Sequence, residues 1–131
     1  MPKAVRIYQF GGPENLKIED IDPGDPGPGE VRLRHEASAV HFADTLVREG
    51  TYFLKPKLPS GIGLEGAGVV EAVGDDVSDF AIGDRAAYRF NLGSYSEARL
   101  IPASALHHLP DNIDARIAVA ATVRGMTAQY L

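Results

Sequence analysis

Three glycines, Gly61, Gly63 and Gly66, stand in the order G-x-G-x-x-G within "LPSGIGLEGAGVVEAVG", residues 58–74. That spacing is the fingerprint of a dinucleotide-binding turn, which needs a strand before it and a helix after it. The flanks here do not supply them. "LKPKLPS" precedes, with two prolines, and "GVVEAVG" follows with the β-branched alternation of a strand. Asp84 falls at about the 20-residue distance of a ribose-binding acid, but it lies in "IGDR", which reads as a tight turn. The expectation is that these glycines permit sharp turns and close backbone approach and do not cradle a nucleotide.

The other residues able to do chemistry are few. There is no cysteine, so disulfides, thiolate zinc sites and cysteine nucleophiles are excluded. Of the four histidines, His35 sits on one face of an alternating segment with Val31 and Leu33. His107 and His108 are adjacent on a short strand, which points their rings to opposite faces and makes a poor chelate.

The elements that must position these groups are mostly short strands. "KAVRIYQF" and "NLKIEDI" predict a strand pair over 3–10 and 15–21, and "DPGDPGPGE" (22–30) predicts a loop. A strand is expected over 30–40 and a helix over 42–50, with Gly50 as its stop. Further strands are expected at 67–74, 84–90, 95–101 and 105–109. Many short strands joined by Gly/Pro turns predict a small barrel or sandwich. "DNIDARIAVAATVRGMTAQYL" predicts helix, capped by Asp111 or Asn112 and divided in two at Gly125. It ends without a stop signal, so the chain is expected to be cut in mid-element.

The bulk properties fit one soluble globular domain: 131 residues, 44% hydrophobic, 24% charged. A net charge of −5 without a Lys/Arg-rich run argues against nucleic acid and anionic membranes as partners. No apolar run is long enough to span a bilayer, and the start lacks the apolar stretch of a signal peptide. Cytoplasm is the default expectation.

"GGPENLKIED", "GIGLEGAGVVEAVG", "FAIGDRAAY", "GSYSEARL" and "AATVRGMTAQYL" occur in that order. Together they resemble the N-terminal half of medium-chain dehydrogenase/reductases, in the zinc-free quinone oxidoreductase (zeta-crystallin-like) branch. The likeness runs from Lys3 to Leu131. It implies a mainly β fold with short helices, a GroES-like β-barrel over 1–131. Residues 112–131 would begin the connection to a Rossmann nucleotide-binding domain absent from the chain. It implies NADPH as cofactor, bound mainly by that domain, and a quinone or enone as substrate, reduced in the cleft between the two domains. It implies a homodimer built through the Rossmann domain. The present chain would then be either monomeric or associated through the apolar surface that domain covers.

The resemblance also assigns residues. Where zinc-dependent relatives hold catalytic zinc with Cys, His and Cys, this sequence has His41, Leu64 and Val123, so the site is expected to hold no metal. Quinone reductases commonly carry Asn at the position of His41. An imidazole there either donates a hydrogen bond to the substrate's carbonyl oxygen or fills the cleft. Tyr52 matches a tyrosine that lines the cleft. Thr127, in "GMTA", matches a threonine facing the nicotinamide. Asp44 either contacts cofactor, orients a neighbour, caps the short helix or is a surface charge. His41, Asp44 and Thr127 are the implied cofactor contacts; His41 and Tyr52 are the implied catalytic groups. Glu65 is expected to be structural, bonded within its own turn. The chain alone is expected to be inactive. An enoyl or alkenal reductase, a stand-alone ligand-binding barrel and a co-chaperonin remain as alternatives.

Overall fold

The computed structural model describes residues 1–131. The elements run β1 (Lys3–Ile7), a 3-10 turn at Pro13–Asn15, β2 (Lys17–Asp20), β3 (Glu30–Ser38), α1 (Phe42–Glu49), β4 (Ser60–Gly61), β5 (Glu65–Val73), β6 (Arg85–Arg89), β7 (Ala98–Pro102), a 3-10 turn at Ala103–Ala105, β8 (His107–His108) and α2 (Ala115–Tyr130). All pairings are antiparallel, in two sheets of order β2-β1-β4 and β7-β3-β5-β6-β8. The Tyr95 carbonyl accepts from the Val5 amide, and Ala4 bridges Ser96, so the segment before β7 stitches the sheets together.

Alternation builds the central sheet. Val31 and Leu33 of β3, Val70 of β5, Ala86 and Tyr88 of β6 and Ile101 of β7 all point inward. Phe80 and Leu106 close that core from the connections. A second cluster joins Ala39 and Ala67 to Ala115 and Val119 beneath α2. A third joins Ile7, Val47 and Ile62 beneath α1.

Several expectations need correction. The first strand stops at Ile7 rather than at residue 10, because the chain turns away there and Phe10 packs against Gly50 at the end of α1. β5 begins at Glu65, two residues earlier than expected, so Gly66 lies inside a strand. β7 begins at Ala98 because residues 94–96 are engaged with β1 and the β4–β5 turn. β4 was not anticipated; it is two residues long and follows a proline-rich stretch. α2 is one continuous helix through Gly125, and its N-cap is Asp114, which accepts from the Arg116 amide at 2.7 Å. Residues 110–113 form a turn instead, held by Arg85 through the carbonyls of Pro110 and Ile113. No helix is long and apolar enough to cross a membrane.

Candidate functional site

The expected helix at 42–50 is present and ends on Gly50 in the left-handed region, φ 80°. Its N-cap is His41. Asp44, at the third helical position and 5% exposed, accepts from the His41 amide at 2.9 Å in a capping box. The same carboxylate oxygen, Oδ2, accepts from the Tyr95 hydroxyl at 2.5 Å. Burial raises the Tyr95 phenol above its usual range, and donation to the Asp44 carboxylate raises it further. Asp44 therefore orients neighbours: it fixes the His41 backbone and receives a phenol from the segment before β7. Its other oxygen, Oδ1, is sealed and has no hydrogen-bond partner.

Glu65 opens β5 and is 1% exposed. One oxygen, Oε2, accepts from the Val123 amide of α2 at 3.1 Å. The other, Oε1, lies 3.6 Å from Nε2 of His41, and neither atom has a hydrogen-bond partner. Burial pushes the Glu65 carboxyl above the ordinary carboxylate range; His41, the Val123 amide and Arg124 pull it partly back. The expectation of a bond within its own turn is thus corrected. The turn before β5 is satisfied by backbone groups, and the carboxylate reaches across to α1 and α2.

Thr127 lies on the exposed side of α2 and donates to the Val123 carbonyl at 2.8 Å. It lines an apolar recess of about 240 Å³ with Arg89, Phe90, Val123, Met126 and Tyr130. Tyr52 follows the end of α1. It is half-buried against the cluster of Ile7, Val47 and Ile62, on which Tyr95 also packs, and its ring centroid is 4.5 Å from that of Phe53. The structure therefore gathers His41, Asp44 and Glu65 into one junction and ties Thr127 to it through Val123. Tyr52 is not brought into that junction; it packs on the cluster beneath α1.

Side chains of other residues fill the space beside Gly63 and Gly66. Gly63 has φ +95°, and a Cβ there would lie 2.2 Å from Oγ of Ser94 and 2.5 Å from Cδ1 of Tyr95. A Cβ on Gly66 would lie 2.9 Å from the His35 ring. These positions let β5 and the Ser94–Tyr95 segment approach closely, and Tyr95 can then reach Asp44.

His35 belongs to a separate buried network that the sequence did not reveal. Its Nδ1 donates to the Ser96 carbonyl at 2.8 Å, and its Nε2 accepts from the Tyr88 hydroxyl at 2.7 Å. The carbonyl can only accept, which assigns the proton to Nδ1 in the neutral ring. Burial, with Arg99 nearby, lowers His35 to about 4. Arg99 lies 5.2 Å from the Tyr88 ring centroid and donates to Oδ1 of Asn91 at 2.6 Å. No three His, Asp or Glu side chains converge as metal ligands, and Leu64 and Val123 carry no donor atom beside His41.

An antiparallel barrel with a capped helix at its rim and a long closing helix defines a class. Residues 27–111 match the alcohol dehydrogenase GroES-like domain, well over half of the chain, and the chain belongs to that family. Its relatives are more specific. It is 48% identical over 132 residues to a quinone oxidoreductase of Pseudomonas aeruginosa, covering 100% of this chain and 40% of that protein. It is 42% identical over 136 residues to a 2-haloacrylate reductase of a Burkholderia species, covering 100% of this chain and 41% of that protein. Among solved structures, the quinone oxidoreductase of Pseudomonas syringae pv. Tomato DC3000 superposes with a TM-score of 0.91 at 46% identity, covering 99% of this chain and 40% of that one. The Escherichia coli quinone oxidoreductase complexed with NADPH gives 0.90 at 36% identity, covering 98% and 39%. The chain thus spans about two fifths of the length of these relatives.

Proposed function

We propose that the chain is the substrate-side domain of an NADPH-dependent oxidoreductase that reduces a quinone or a related α,β-unsaturated carbonyl compound without zinc. The observation that carries this reading is the likeness of the entire chain to a quinone oxidoreductase at 48% identity. The bound nucleotide would supply the hydride. The residues present fit its ring end only: Thr127 and the apolar recess beside it offer a wall for a flat ring. The filled spaces at Gly63 and Gly66 do not fit a pyrophosphate. Holding the phosphates falls to a Rossmann domain outside these residues, through which the longer protein dimerises.

The chain's own part is to shape the cleft and meet charge that develops on the substrate oxygen. Tyr52 supplies a hydroxyl free of other hydrogen bonds. His41 supplies an imidazole whose Nε2 lies 3.6 Å from the Glu65 carboxylate and makes no hydrogen bond. Of the three positions that match zinc ligands in metal-dependent relatives, only His41 could bind a metal, which supports the zinc-free reading.

Titration of the 131-residue chain with NADPH, followed by nicotinamide fluorescence, tests the division of labour. No saturation is expected in the micromolar range. Micromolar affinity would overturn the assignment of nucleotide binding to another domain. The resemblance to a 2-haloacrylate reductase favours a second reading, a reductase of activated alkenes. Comparing quinone and enone substrates on the longer protein separates the two.

A further inference from the structure

A carboxylate is an expensive group to bury, and a neutral side chain of the same size costs less. Glu65 is nevertheless among the most buried residues of the chain. Its two oxygens serve different elements, with Oε2 on the Val123 amide of α2 and Oε1 facing Nε2 of His41 at the start of α1. Val123 is held at both ends of its residue, its amide by Glu65 and its carbonyl by the Thr127 hydroxyl. One carboxylate therefore connects two candidate site residues that lie 86 positions apart in sequence (127 − 41) and on different helices.

We propose that Glu65 is the positioning residue of the site: it holds the His41 imidazole with one oxygen and α2 with the other, and so fixes His41 relative to Thr127. The proposal rests on the functional reading above for what those two residues do. It rests on geometry alone for the link between them. The mid-helix amide of Val123 gains a charged acceptor, which strengthens the bond relative to a neutral one. The imidazole gains a carboxylate that restricts its rotation. No other salt bridge competes for Glu65.

The charged groups around it are few. His41 faces it from the start of α1, Arg124 from α2, and Arg89 is its register partner on β6. At the end of β3 the Ser38 hydroxyl, and just after it the Ala39 amide, donate to the Glu65 carbonyl.

The test follows Glu65 by carboxyl carbon NMR across a pH titration of the 131-residue chain, with the Val123 amide proton recorded in the same samples. The Val123 shift is expected to track the Glu65 midpoint. In His41→Asn the Glu65 midpoint is expected to move to higher pH, because a group that favours the carboxylate has been removed. A flat Val123 shift, or an unchanged midpoint in His41→Asn, would overturn the proposal. In the longer enzyme, Glu65→Gln keeps the size and an acceptor for Val123 but lacks the charge. Misplacement of a site group should then lower kcat on the order of tenfold or more, and a native kcat would count against the proposal. If the longer protein reduces no quinone at all, the functional reading fails while the NMR titration still decides the role of Glu65.

Discussion

A second ring proton on His35 would displace the bond that Tyr88 donates to Nε2, and Arg99 donates to the same hydroxyl from the far side. Its folded-state value of about 4 is below the ordinary 6.5, so the unfolded chain binds more protons between those limits. Stability from this group is complete above pH 6.5 and is lost as pH falls toward 4. Linkage puts the loss between pH 7 and pH 5 at about 2 kcal/mol. Glu65 opposes it, since its raised value favours the folded state as pH falls. The check is therefore a difference: urea unfolding at both pH values for the native chain and His35→Asn, with the pH-dependent loss smaller in the variant. Equal slopes would refute the assignment. Gly63 offers a second check at this scale. Gly63→Ala would place a methyl against Ser94 and Tyr95 in a left-handed backbone, and at least about 2 kcal/mol of stability should be lost. Chemical denaturation would measure it. The sequence showed that Gly61, Gly63 and Gly66 lack a nucleotide turn's flanks, since that is a local property. It did not show that Gly63 makes room for Tyr95 and thereby for the bond to Asp44, because those partners meet only in the folded chain.

Among the elements, α1 was legible to within a residue: it has apolar spacing, an acid in its first turn and a glycine at its end. The central strands were legible for the same kind of reason, through alternation of Val31 and Leu33 and of Ala86 and Tyr88. β7 was misplaced because Tyr95–Glu97 alternates like a strand but is bonded as a crossing segment between sheets. α2 departs from expectation in the opposite sense. A single glycine in an alanine-rich helix costs only about 1 kcal/mol relative to alanine, too little to break it. Nothing lies within 4 Å of a Cβ built on Gly125. Gly125→Ala should therefore stabilise the chain by about 0.5–1 kcal/mol. A destabilised variant in thermal or urea unfolding would mean that the helix is interrupted there. Asp114→Ala should act in the other direction, losing about 1 kcal/mol with the N-cap.

For the molecule as a whole, the barrel, the rim helix α1 and the closing helix α2 meet at one buried carboxylate, and the apolar recess lies on the outer side of α2. Phe90 and Met126 are about half exposed beside it, and Tyr130 is almost fully exposed. On the proposed function this face meets the nicotinamide ring and the second domain, and the chain forms one wall of a reductase whose nucleotide is held elsewhere. The most direct test is NADPH oxidation with 1,4-benzoquinone as acceptor, measured for the protein encoded by the whole reading frame and for the 131-residue chain side by side. Turnover is expected from the longer protein, lowered by Tyr52→Phe and by His41→Ala, and none from the chain alone. Turnover by the chain alone, or none by a folded longer protein that binds NADPH, would contradict it.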